Sequence, residues 1–130
     1  MQENERLVVV TRNDLSLGYR AVQSTHAVIN FIFEHNSRAG PWFYNSNYLI
    51  QKAVDNEKQL HLLINNVERA GLKMTIFREP DIGNQITAIC IEPSPVTEKL
   101  VRKIPLLFQK DKNEKESRNT SCLENNGHQS

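Results

Sequence analysis

The chain has 130 residues, of which 38% are hydrophobic and 24% charged, a size and balance suited to one compact domain rather than two. Its formal net charge of +1 excludes a strongly basic, histone-like nucleic-acid binder, although it is compatible with a local basic patch. Cys90 lies in an apolar run and Cys122 in a polar tail, so they offer no disulfide framework, and no segment has the roughly 20 apolar residues of a membrane helix. We therefore expect a cytoplasmic protein with no membrane association.

The first half of the chain predicts a strand, a helix, a loop and a second strand. Leu7 to Val10 is a valine-rich run typical of a buried strand. A helix is expected from about Gly18 to His35, ended by Ser37, Gly40 and Pro41. The aromatic stretch PWFYNSNY is interpreted as a loop or a short irregular segment packed on this helix. The helix has apolar residues at helical spacing, which predict a wide buried stripe: Ala21, Val22, Val28, Ile29, Ile32 and Phe33.

The second half continues the alternation. A strand over 48–54 precedes the helix-start signal Asp55-Asn56, and that helix ends at Gly71. Two further strands, 72–77 and 86–91, flank the loop REPDIGNQ, and a short last helix follows the prolines at 93 and 95. Residues 109–130 carry balanced charge and almost nothing to bury, so we expect a disordered polar tail after a folded domain of residues 1–108.

This order predicts an α/β fold: a three-layer α/β/α sandwich with a four-stranded mixed sheet and right-handed first crossovers. In such sheets ligands bind outside the carboxyl ends of the strands, which here include the turn over residues 11–20.

Polar residues cluster at the start of the long helix. Arg20, Gln23 and His26 recur at intervals of three, so they share one flank of the helix. Arg20 is suited to receive an anionic group such as a phosphate, and Gln23 to orient a water or a carbonyl. In the alternative, which spacing alone favours, Gln23 and His26 only satisfy neighbouring backbone groups.

The loop after the third strand is a second candidate. It carries Glu79, Asp81 and Asn84. If it faces the start of the long helix, Arg20 would pair with one carboxylate and lower its pKa; otherwise it is a solvated surface loop. The histidines lack metal-ligand spacing, there is no glycine-rich phosphate loop, and neither Ser24 nor Cys90 lies in a nucleophile motif.

Four segments in the same order resemble the archaeal and eukaryotic type of peptidyl-tRNA hydrolase: TRNDL (11–15), AVQSTHA (21–27), ERAGLKMTIFRE (68–79) and QITAICIEPSP (85–95). The likeness covers roughly residues 5–108. It implies hydrolysis of the ester that joins a peptide to the terminal ribose of tRNA, with tRNA as partner and neither a metal nor an organic cofactor. A homodimer is left open.

The resemblance carries over residue by residue only in part. Gln23 and His26 match the family's glutamine and histidine, with His26 more structural than chemical. The family's lysine position is Tyr19 here, with Arg20 beside it, and an arginine cannot exchange a proton near neutral pH. The family's aspartate falls at Glu79 without a gap, or at Asp81 if the loop has shifted. Thr87 matches the family's threonine.

Two functions follow from this match. In an active hydrolase, Arg20 binds and polarises, Glu79 or Asp81 accepts a proton, and Gln23 and Thr87 position the water; Tyr19, Arg12 and Arg78 contact substrate. The alternative is a catalytically weak relative that binds tRNA or a protein partner. Five basic residues lie near strand ends or the helix start, where a tRNA acceptor stem is able to approach; each taken singly is equally well explained as scattered solubilising charge. They are Arg12, Arg20, Lys52, Lys73 and Arg78.

Overall fold

The computed structural model describes residues 5–108 of the chain. Its strands and helices are β1 (Arg6–Arg12), α1 (Leu17–Glu34), α2 (Asn36–Asn45), β2 (Tyr48–Val54), α3 (Glu57–Arg69), β3 (Met74–Glu79), β4 (Gln85–Ile91) and α4 (Pro95–Val101). A short 3₁₀ helix, Pro80–Ile82, joins β3 to β4. None of the helices described is long and apolar enough to cross a membrane. The tail predicted over 109–130 lies outside the described residues.

The strands form one mixed sheet in the order β2-β1-β4-β3. β1 pairs in parallel with β2, whereas β4 is antiparallel to both β1 and β3. β1 and β3 therefore run in the same direction, and their carboxyl ends lie at the same edge of the sheet as the start of β4. We call this edge, marked by Arg12, Glu79 and Gln85, the site edge.

Helices cover both faces of the sheet, which confirms the predicted three-layer α/β/α sandwich. α1 and α2 pack on one face and α3 and α4 on the other. Alternate residues of β1 enter the two cores, with Leu7 and Val9 on the α1 side and Val8 and Val10 on the α3 side. Burial on both faces explains why this strand is a continuous apolar run.

The predicted signals around α3 are confirmed. The Asn56 side chain caps the helix by accepting a hydrogen bond from the backbone N–H of Gln59 at 3.1 Å. Gly71 follows the helix with φ +73°, a left-handed conformation that glycine adopts without a Cβ penalty.

The predicted loop PWFYNSNY is wrong, because most of it belongs to helix α2 with Pro41 inside. A proline within a helix removes a hydrogen bond and costs about 3 kcal/mol. Packing offsets this cost, since Ala39 and Trp42 are buried and the Trp42 indole N–H donates to the carbonyl of Tyr48 at 2.8 Å. The helical hydrogen bonds also continue through His35, which joins α1 to α2.

The predicted buried stripe of α1 is confirmed only in part: Val28 and Ile32 are half-buried against the core, but the other four residues are exposed. The residues of α1 that are buried are Gln23, Ser24, Ala27 and Phe31. By contrast, Val22 is 51% exposed, Ile29 46% and Phe33 78%. Gln23 donates a hydrogen bond to Glu79 and accepts one from Thr87, and these bonds hold a partly polar face of α1 against the sheet. Val22, Ile29 and Phe33 then face outward.

Candidate active site

A chain of hydrogen bonds, buried except at its Glu79 end, connects α1 to three strands at the site edge. The Thr11 hydroxyl donates to the carbonyl of Thr87 at 2.7 Å. The Thr87 hydroxyl donates to Gln23 Oε1 at 2.5 Å, and Gln23 Nε2 donates to Glu79 Oε1 at 2.9 Å. Two segments remote in sequence, the start of α1 and the acidic turn after β3, therefore meet.

Local sequence explains how α1 reaches this position. Ser16 is its N-cap and accepts a hydrogen bond from the backbone N–H of Tyr19 at 3.3 Å, which satisfies one free donor of the first turn. Gln23 lies one turn further on and is only 1% exposed. Because both ends of its amide are bonded to protein, Gln23 acts through Glu79 and Thr87.

Glu79 is the carboxylate that the site holds in its charged form. Its pKa is lowered from the usual value, chiefly by the hydrogen bond from Gln23 and then by the backbone N–H of Asp81, with a smaller contribution from His26. The Asp81 N–H lies 3.2 Å from Glu79 Oε2. The His26 ring stacks on Phe77 with 4.7 Å between ring centroids, so it flanks the site.

Tyr19 lies one turn before Gln23 on the same side of α1 and is half-buried. The pKa of its phenol is raised, first by partial loss of hydration and then by the negative charges of Glu79 and Asp81. The phenol therefore stays protonated at neutral pH and can donate a hydrogen bond.

Arg20 does not pair with the acidic turn, so that expectation is wrong. Its Nε donates to the carbonyl of Leu15 at 2.7 Å and its Nη1 to Asn13 Oδ1 at 3.3 Å, which fixes the loop between β1 and α1. No ion pair among residues 5–108 joins Arg20 to Glu79 or Asp81. Gln23, instead of Arg20, makes the contact with Glu79. Three of the five guanidinium N–H donors of Arg20 remain for another partner.

Arg12 is buried, with 6% of its surface exposed. Its guanidinium makes paired bonds to Asp14 at 2.9 and 3.0 Å and further bonds to Gln85 Oε1 and the carbonyl of Ile86, both at 2.9 Å. These bonds use four of its five donors. The hydrogen bonds from Arg12 also lower the pKa of Asp14. Arg12 thus connects the β1–α1 loop to the start of β4.

The remaining predicted residues lie around the acidic turn. Asp81 and Arg78 are exposed, and Arg78 Nη1 donates to the carbonyl of Asn84 at 3.3 Å. Gly83 and Asn84 have φ of +73° and +60°, the left-handed backbone that closes the turn into β4. Lys73 precedes β3 and so lies at the opposite edge of the sheet, which separates it from Arg20 and Arg78.

Sequence reasoning missed Thr11 and Gln85 as members of the site. Both lie at strand ends, and Thr11 is a buried polar residue that directly follows the apolar run of β1. The position of Thr11 at the end of a buried strand indicated a site residue, because a buried hydroxyl needs a hydrogen-bond partner. Among the described residues, no group of three or more histidine, cysteine, aspartate or glutamate side chains is arranged to hold a metal ion.

The fold and this edge define a small open-sheet α/β protein in which the start of α1 and an acidic turn meet at the carboxyl ends of two strands. The family model described as peptidyl-tRNA hydrolase PTH2 matches residues 6–107, and the chain belongs to this family, as the resemblance predicted.

One solved structure supports the fold alone. It is the protein of unknown function Atu0240 from Agrobacterium tumefaciens strain C58, which aligns with a TM-score of 0.61 at 10% identity over 83% of this chain and 100% of its own.

Proposed function

We propose that this chain hydrolyses the ester between a peptide and the terminal ribose of tRNA, using an activated water without a metal ion. Family membership supports the reaction class. The observation that carries the proposal for this chain is the contact between Gln23 and Glu79 at 2.9 Å, because it brings the acidic turn to the start of α1.

Glu79 is the group that orients the attacking water and accepts its proton. Each of its carboxylate oxygens accepts one hydrogen bond from the protein, which leaves a lone pair on each for a water. Since a carboxylate with a lowered pKa is a modest base, its main contribution is to orient the water. Asp81, next in the turn, is the second candidate acceptor.

Gln23 and Thr87 position Glu79. Both are almost fully buried, so they do not contact the water themselves. Their hydrogen bonds fix the direction in which the carboxylate points, and a displacement of about 1 Å at such a group lowers the rate up to ~100-fold.

Tyr19 supplies the electrophilic contact in place of the family's lysine. Its protonated phenol donates a hydrogen bond to the ester oxygen as negative charge develops there. One donor of this kind typically contributes about 10²–10³-fold in rate. An ester needs less activation than an amide, so an oriented water and one donor provide a workable mechanism.

Arg20 and Arg78 bind the tRNA end. Arg20 retains free donors beside the site, and Arg78 is exposed on β3 at the same edge. Each phosphate neutralised adds about −0.7 to −0.9 to the slope of log affinity against log salt, so two contacts give a slope near −1.5. Arg12 instead positions the β1–α1 loop, because its guanidinium is already bonded.

The second candidate is a catalytically weak relative that binds tRNA or a protein partner. Tyr19 at the lysine position favours it, because a phenol transfers a proton less readily than a lysine with a lowered pKa near neutral pH. The two functions differ in turnover.

The test is single-turnover hydrolysis of purified peptidyl-tRNA by the wild type and two variants in which glutamate becomes glutamine. Glu79→Gln should lower the rate at least about 100-fold, while Glu68→Gln, on the exposed side of α3, should leave it unchanged. Activity should persist after dialysis against a chelator. Full activity of Glu79→Gln would refute the proposed site, and tRNA binding without turnover by the wild type would establish the second candidate.

A further inference from the structure

A hollow of about 300 Å³ lies on the face of the sheet that α3 and α4 cover, at the point where β1 and β2 meet α4. Its floor is apolar and is made by Val8, Ile50 and Val101, which all belong to the core on this face. Val8 pairs with Ile50 in the parallel register of β1 and β2, so the two strands form a continuous base. The hollow lies across the sheet from α1, and none of its lining residues belongs to the site edge.

Three cations and one carboxylate surround this floor: Arg6, Lys52, Arg102 and Glu98. Arg6 and Lys52 each lie two strand positions from the floor residue of their own strand, so their side chains point to the same face of the sheet. Glu98 and Arg102 are four residues apart in α4 and its C-cap, so they lie on one side of that helix. We call these four side chains and their floor the basic hollow.

Only one of the three cations has a carboxylate partner among residues 5–108. Arg6 donates to both oxygens of Glu98, at 3.0 and 3.2 Å. Lys52 donates one N–H to the carbonyl of Ile104 at 2.8 Å, which leaves two ammonium donors. Arg102 forms no ion pair within this part of the chain. Three positive charges and one negative charge give the basic hollow a net charge of +2.

Lys52 is the cation with the strongest need for a partner. Its side chain is half-buried, and desolvation lowers the pKa of its ammonium group. A charge that has lost part of its water is stabilised by an opposite charge beside it, yet no carboxylate of residues 5–108 forms an ion pair with Lys52. An anion in the hollow would supply that charge.

Charge and volume together indicate the class of ligand. A phosphate monoester carries about −1.5 to −2 near pH 7 and has three acceptor oxygens, so it balances the hollow, whereas a single carboxylate balances half of it. The volume equals that of about ten water molecules at ~30 Å³ each, which leaves room for an organic body beside the phosphate group. An apolar floor with a few convergent polar groups is typical of small-ligand sites.

We propose that the basic hollow binds the phosphate monoester of a small organic molecule, of the size of a sugar phosphate. Lys52 and Arg102 donate charge-assisted hydrogen bonds to the phosphate oxygens, and the carbon skeleton covers the apolar floor. Arg6 neutralises Glu98, whose carboxylate still has lone pairs that accept a hydroxyl group of the ligand. The proposal is independent of the proposed hydrolysis, because the two sites lie on different faces of the sheet and share no residue.

The test is isothermal titration calorimetry of the full chain with ribose 5-phosphate, at an ionic strength of about 0.15 M. The expected dissociation constant is about 1 mM or tighter. Ribose, which lacks the phosphate, should not bind, and inorganic phosphate should bind at least about tenfold more weakly because it leaves the apolar floor uncovered. Lys52→Met and Arg102→Met should each raise the dissociation constant at least about tenfold, since each removes a charge-assisted contact.

Lys99→Met is the matched control, because Lys99 is an exposed cation of α4 that does not line the hollow. It should change the dissociation constant less than about twofold, since salt screens its charge. Arg102 is exposed, so its substitution tests the contact without loss of the fold. Absence of binding by the wild type, or equal weakening by Lys99→Met and Arg102→Met, would overturn the proposal. A 5′-phosphorylated oligonucleotide that binds at least about tenfold more tightly would also overturn it, because a nucleic-acid end would then be the ligand.

Discussion

Replacing Gln23 by leucine tests whether hydrogen bonding at the centre of the site holds the acidic turn in position. Leucine has nearly the same size, so the space at this buried position stays filled. The substitution removes the donor to Glu79 at 2.9 Å and the acceptor for the Thr87 hydroxyl at 2.5 Å. Thr87 is fully buried, so its hydroxyl would be left without a partner on this side.

The expected loss in the free energy of unfolding is about 1–3 kcal/mol, the cost of leaving one buried polar group unsatisfied. The loss should depend on pH. Because Gln23 lowers the pKa of Glu79, its stabilisation is present above the unfolded-state value of 4.5 and disappears as the pH falls through the lower folded-state value. The difference in the free energy of unfolding between wild type and variant should therefore be larger at neutral pH than near pH 3.

Urea unfolding at both pH values, followed by circular dichroism, measures this difference in the free energy of unfolding. It is obtained from the shift in the urea midpoint, provided that the dependence of the free energy on urea concentration is the same for both proteins. Ser24→Ala is the matched control: Ser24 is the next residue and equally buried, but its hydroxyl has no hydrogen-bond partner within residues 5–108. Its removal should cost less than about 0.5 kcal/mol. Equal costs for the two variants, or a pH-independent cost for Gln23→Leu, would refute the reasoning.

Three further predictions concern single side chains. Tyr19→Phe should lower kcat about 10²–10³-fold with little change in KM in the peptidyl-tRNA assay. Tyr19→Lys should recover part of this loss. An unchanged kcat in Tyr19→Phe would exclude the phenol as a donor. Arg12→Leu should lower the free energy of unfolding by about 2–4 kcal/mol, because the groups bonded to this buried guanidinium lose their hydrogen-bond partner. Arg78→Leu, at an exposed position, should cost less than about 0.5 kcal/mol in the same urea titration. Burial raises the pKa of the Cys90 thiol. In a Cys122→Ser variant, iodoacetamide should therefore label Cys90 far more slowly in the native protein than in the urea-unfolded protein. Equal labelling rates, measured by intact mass, would contradict the burial of Cys90.

Sequence patterns predicted the elements whose signals are local. The valine run of β1 is buried on both faces of the sheet, and Asn56 and Gly71 mark the two ends of α3 through their own side-chain or backbone geometry. α2 was missed because Gly40 and Pro41 are local stop signals, which the tertiary burial of Trp42 overrides. Propensity is a weak prior wherever packing supplies several kcal/mol.

The sequence predicted which residues form the site, but not which of their side chains contact each other. Resemblance selected Gln23, Glu79 and Thr87, and the structure brings these three together. The expected partner of the carboxylate was Arg20, since opposite charges attract, yet Arg20 bonds to the β1–α1 loop instead. Spacing along a helix gives the flank on which a residue lies, whereas the orientation of α1 on the sheet, which buries Gln23, decides which of its side chains meets the acidic turn.

Helix α1 turns a mixed face toward the sheet, with Gln23 and Ser24 buried beside Ala27 and Phe31, and this explains why the predicted apolar stripe is only partly buried. A surface helix normally turns its apolar stripe toward the core. Here Gln23 is buried and Phe33 is 78% exposed. Burying an amide is tolerable only when both of its ends are bonded, which Thr87 and Glu79 provide. The polar part of this face therefore builds the site, whereas the apolar residues Val22, Ile29 and Phe33 stay exposed within residues 5–108.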